Sequence, residues 1–135
     1  MSFSNEAETA VLQQIFVGTA LPWNGNTDLY ISLHTADPGE GASATSSEAN
    51  YGSYARVAVT RATDFTISGA TVANDTLIQF PTCDSGTSIC TYVGIVNTST
   101  GSGTMLVSGQ LNSTVTVTTG IQPQFSAGTL TFTLD

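Results

Sequence analysis

Leu29-Tyr30-Ile31-Ser32-Leu33-His34 alternates apolar with more polar side chains over six consecutive residues. In an extended chain this puts Leu29, Ile31 and Leu33 on one side and Tyr30, Ser32 and His34 on the other, which predicts a strand with one apolar and one mixed face. The same period returns at Tyr54–Arg61, where Ala55, Val57, Val59 and Arg61 oppose Tyr54, Arg56, Ala58 and Thr60. Shorter strands are predicted at Phe65–Ile67, Ala70–Ala73, Leu77–Phe80, Cys90–Val96, Met105–Gly109, Val115–Thr118 and Leu130–Leu134, each bounded by Gly, Ser, Asn, Asp or Pro. Parallel strands need crossover helices, and no helical pattern lies between these segments. The fold expected is all-β, an antiparallel β-sandwich of jelly-roll-like form.

Working outward to the N-terminus, Asn5–Phe16 reads as one short helix. Ser4 or Asn5 can cap it, Glu6 and Glu8 stand in the first turn, and Gly18 follows its end. Ala7, Val11, Leu12, Ile15 and Phe16 recur at helical spacing and form an apolar stripe. That stripe has two uses open to it, packing on its own sheet or docking to a neighbouring subunit. Leu12, Phe16 and Trp23, in the turn after the helix, are the candidate assembly contacts. The long polar stretch Ala36–Ser53 is too long for a tight turn. A single domain over 1–135 is expected, with the helix at about 5–16 and the sandwich at about 28–135.

Composition narrows the function. Of 135 residues 9% are charged and 40% hydrophobic, and two arginines face ten acids with no lysine, giving a net charge of −8. Disordered chains combine low hydrophobicity with high charge, so an ordered domain is expected. Nucleic acid and anionic membranes are poor partners for a chain without basic clusters, and the absence of lysine removes Walker-type loops and Schiff-base chemistry. No basic n-region, long apolar h-region or bilayer-length apolar run is present, so a soluble protein made in the cytoplasm is expected. Arg56 and Arg61 remain as possible interface anchors, or as partners for acids of the same chain.

His34 is the one histidine, so a His-based metal cluster is impossible and any Ser-His-Asp triad would have to use it, yet no Gly-x-Ser-x-Gly elbow accompanies it. Asp37-Pro38-Gly39-Glu40 has the Pro-Gly centre of a type II turn and matches no calcium loop. Cys83 and Cys90 enclose a hairpin-like loop, where a structural disulfide is possible. No cofactor, no metal and no catalytic residue is expected.

Several blocks carry a family resemblance: Met1-Ser-Phe-Ser-Asn5 before the helix, Leu29 through Asp37-Pro-Gly-Glu40, Gly52-Ser-Tyr-Ala-Arg-Val-Ala-Val59, Ile78-Gln-Phe-Pro81, Tyr92-Val-Gly-Ile95, Leu106-Val-Ser-Gly-Gln-Leu111 and the ending from Ile121-Gln-Pro-Gln to Thr131. In this order they resemble a family of small tailed-bacteriophage virion proteins. Its members are often labelled tail fibre proteins, and others look like trimeric capsid cement or decoration proteins. The resemblance implies a non-enzymatic virion component. Because the chain has one short helix and no heptads or repeats from which to build a shaft, the expected role is capsid decoration: a homo-oligomer, trimer favoured, on the capsid exterior with the major capsid protein as partner. The alternative is a tail fibre or tail-tip component that binds host glycans, for which Trp23, Tyr51 and Tyr54 could stack on sugars.

Overall fold

Ser4 opens the helix as expected: its backbone is extended and its hydroxyl accepts a hydrogen bond from the Ala7 amide at 3.1 Å. The structure is a computed structural model that describes residues 2–41 and 43–134. In chain order it contains β1 (Ser2–Phe3), α1 (Asn5–Phe16), β2 (Asp28–His34), β3 (Val57–Thr60), β4 (Phe65–Ser68), β5 (Thr71–Asn74), β6 (Ile78–Gln79), β7 (Ser88–Val96), β8 (Met105–Val117), β9 (Gln124–Phe125) and β10 (Thr131–Thr133).

Every strand pairing is antiparallel. The main sheet has the order β1-β8-β7-β2-β3, a second sheet is β10-β5-β4, and β6 pairs with β9. The all-β sandwich with one short helix is therefore the fold, with its strands divided five, three and two, whereas a jelly roll has eight strands in two Greek keys. Ile31, Leu33, Val59, Val93, Ile95 and Val107 of the main sheet share one core cluster with Phe80 and Leu130, and Phe65, Phe125 and Phe132 pack against it. Aromatic rings bridge the layers: Phe80 stacks on Tyr54 at 6.2 Å between centroids and meets Phe125 edge-on at 6.3 Å.

Two predicted strands, Met105–Gly109 and Val115–Thr118, are one strand with an interruption. Cys90 pairs with Val115 and Tyr92 with Gln110, so β8 carries extra residues opposite Thr91. Leu111–Thr114 leave the ladder there as a bulge. The predicted strand at Tyr54–Arg61 begins only at Val57, because Tyr54 and Arg56 are drawn into side-chain bonds described below.

The largest difference concerns β2. Ile31 and Leu33 face the core as predicted, but Ser32 and His34 on the opposite, mixed face are also fully buried. The stretch 36–53 covers them. It runs along the end of β2 through backbone bonds from Thr35 to Ser47 and from Ala49 to Leu33, both 2.8 Å. Within it, Gly39 holds φ +74° and its amide bonds the Asp37 carboxylate at 2.9 Å, the turn that Asp-Pro-Gly-Glu predicts.

Candidate assembly surface

α1 buries only small side chains. Ala7 and Ala10 face the sheet, Val11 is half-buried, and the large residues near the C-terminal end face solvent: Leu12 is 55%, Ile15 65%, Phe16 78% and Val17 74% exposed. At 100° per residue, Glu8, Leu12, Ile15 and Phe16 lie within one face of the helix, opposite the alanines. The structure divides the stripe between the two uses that the sequence leaves open: Ala7 and Val11 turn inward, and Leu12, Ile15 and Phe16 have no cover among the described residues. Three large apolar side chains left in water on one face form the kind of patch that marks an interaction surface.

Beside the helix lies an apolar groove of about 490 Å³. One wall is the main sheet, with Leu29, Ile95 and Val107, and the other is the three-stranded sheet, with Phe65, Val72 and Phe132. Leu21 and Trp23 line it too, as does Ile67, which is 72% exposed. Val11 brings α1 to its rim and Arg61 is its one cation. The groove has the size of a ligand or side-chain pocket.

The other sequence-predicted contacts are held within the chain. Trp23 is 8% exposed and belongs to the core. Arg56 forms a two-pronged pair with Glu48, Nε to Oε1 at 2.7 Å and Nη2 to Oε2 at 2.9 Å. The same guanidinium donates to the carbonyls of Thr98 and Gly101, so it fastens the 36–53 stretch to the β7–β8 turn. The hydrogen bonds that it donates to the Glu48 carboxylate hold its pKa above the ordinary arginine value. Arg61 donates through Nη1 to the carbonyls of Trp23, Asn24 and Asn26, clamping the turn that leads into β2. It has no carboxylate partner among the described residues.

The aromatic platform imagined for sugars is also turned inward. Tyr51 is 2% exposed with its hydroxyl bonded to the Pro81 carbonyl, and the Tyr54 hydroxyl accepts from the Leu33 amide and donates to Glu48. Neither ring is free to stack on a glycan with Trp23.

His34 and Ser32 stand 2.8 Å apart, Nε2 to Oγ, in a hydroxyl–imidazole pairing that would interest an enzymologist at a surface. Both are 0% exposed, so no substrate reaches them. Cys83 and Cys90 are free thiols, both buried; Cys83 donates to the Ser85 carbonyl at 3.2 Å, and burial pushes the Cys90 thiol up to about 11. The disulfide that the sequence leaves possible between them is not present in this structure. Sequence reasoning places Ile15 in the stripe without singling it out as a contact, and it misses both the exposed Val17 and the groove, whose walls come from two sheets.

The geometry is that of a β-sandwich carrying a capped helix that ends in exposed apolar residues beside an open apolar groove. The chain matches, over residues 2–133, the family described as podophage GP4 fiber I protein gp80, and it belongs to that family of phage virion proteins. A comparison with curated proteins gives no match. No helix among the described residues is long and apolar enough to cross a membrane.

Proposed function

We propose that this chain is a non-enzymatic structural subunit of a phage fibre, a homo-oligomer with a trimer favoured, joined to its neighbours through the end of α1. The observation that carries the reading is the uncovered stripe of Leu12, Ile15 and Phe16 in a chain whose family is described by a fibre protein. Such a module is too compact to be a shaft and fits a base, joint or head of one. Attachment rests on apolar burial and backbone pairing, since one of its two cations is used within the chain by Glu48.

A second reading is favoured by one specific observation. The longest helix among the described residues has 12 residues and the chain has no repeat or heptad from which to build length. A capsid cement protein on the outer head surface, bound to the major capsid protein, needs none. Copy number separates the two. Quantitative protein gels of purified particles are expected to show this chain as a small fraction of the major capsid protein; a stoichiometry comparable with that protein would replace the fibre reading with decoration.

A further inference from the structure

We propose that the partner of the α1 stripe is a second copy of this chain, whose groove receives Leu12, Ile15 and Phe16 while Glu8 of the incoming helix meets Arg61 at the groove. The inference deepens the fibre-subunit reading by naming the partner of the same surface, and it rests on that reading's use of α1.

Charge complementarity selects the occupant. The chain has two cations. Arg56 is consumed by Glu48, whereas Arg61 lines the groove with its Nε and Nη2 making no hydrogen bond and no ion pair among the described residues. An apolar ligand carrying one carboxylate matches that site. Glu8 is exposed, its carboxylate has no partner among the described residues, and it lies on the same face of α1 as Leu12, Ile15 and Phe16, one turn before Leu12. The chain thus presents an apolar stripe that begins at an acid and, adjoining Glu8, an apolar groove edged by a cation without a carboxylate partner among the described residues.

Size fits the match. A helix is about 10–12 Å across with its side chains, so a groove of about 490 Å³ takes the projecting side chains and leaves the helix barrel outside. Val11 of the same helix lines the chain's own groove, and Glu8 stands beside Phe3, Val107 and Phe132 at its end, but Leu12, Ile15 and Phe16 are exposed and line no part of it, so these large side chains do not fill the groove of their own chain. The contact is then heterologous, one surface meeting a different one, and it closes as a ring when the rotation permits.

The test uses the full chain with cysteines placed at two exposed positions, Leu12→Cys on the stripe and Ile67→Cys in the groove; the native Cys83 and Cys90 are buried. The two variants are mixed and oxidised, and the products are separated without reductant. The expected result is a cross-linked dimer from the mixture and none from either variant alone. Sedimentation of the parent should show a concentration-dependent oligomer, and Glu8→Gln should weaken it by about two- to fivefold, as for other exposed ion pairs. A parent that stays monomeric, or cross-links that join Leu12→Cys only to itself, would overturn the inference. Either result would leave the copy number in particles, and so the fibre reading, standing.

Discussion

His34 shows how one residue's surroundings decide what it can do. Its Nδ1 faces the Ser46 carbonyl at 2.8 Å, which can only accept, so Nδ1 carries the proton and Nε2 accepts from the Ser32 hydroxyl. The ring is neutral with both nitrogens satisfied. Burial lowers its pKa from the usual 6.5, with Arg56 acting in the same direction and the Ser46 carbonyl and Glu48 opposing. A neutral imidazole favoured by the fold stabilises the protein fully above the unfolded chain's 6.5, and that contribution is lost as pH falls below 6.5 toward the folded-state value. The expected outcome is a urea midpoint that drops between pH 7 and 5, with a slope of at most about 1.4 kcal/mol per pH unit for this one proton. A flat midpoint across that range would mean that His34 titrates alike in both states. In the sequence, His34 reads as the polar end of a strand; its burial depends on Ser46 and Glu48, twelve and fourteen residues on, and alternation carries no information about which loop will cover a face. Arg56 is similar. In the sequence any of ten acids could pair with it, and only the fold selects Glu48.

At the scale of elements, the sequence is legible where local signals are strong. The helix bounds at Asn5 and Phe16 follow from the cap and the Gly18 stop, and β2 follows from its alternation. The two-residue strands β1 and β9 carry too little pattern to be seen, and β8 was split because its bulge places Asn112, Ser113 and Thr114 where a regular strand would repeat apolar residues. Gly94 shows why β7 must be small at its crossing with β2 and β8. A Cβ there would come within 2.8 Å of the Ser32 hydroxyl and 2.5 Å of the Met105 sulfur, atoms of two neighbouring strands. Met105 can shift, but Ser32 is bonded to His34. Gly94→Ala is expected to destabilise by about 1–3 kcal/mol through overpacking, measured as a loss in denaturant midpoint with an unchanged slope. An unchanged midpoint would show that the crossing has slack.

For the whole molecule, fold class was legible because many short alternating segments without intervening helices leave few architectures. The partition into sheets of five, three and two was not, since pairings such as β10 with β5 join residues more than fifty positions apart. The assembly surface was half legible. Periodicity places Leu12 and Phe16 on the stripe, whereas the inward positions of Trp23 and Arg56 depend on tertiary packing alone. The capsid-decoration role inferred from compactness gives way to a fibre subunit as the leading proposal because the family match points to a fibre protein. Both readings share one claim, that the end of α1 is a surface for assembly and contributes little to the monomer's own stability.

Leu12→Ser together with Phe16→Ser tests that claim most directly, by comparing thermal stability of the isolated protein with its incorporation into particles. Both side chains are more than half exposed, so the melting temperature is expected to stay within a few degrees of the parent, as for surface changes of about 0.5 kcal/mol or less each, while incorporation is lost. A variant that melts well below the parent yet enters particles at the parent's level would contradict the account and make α1 an ordinary element of the core.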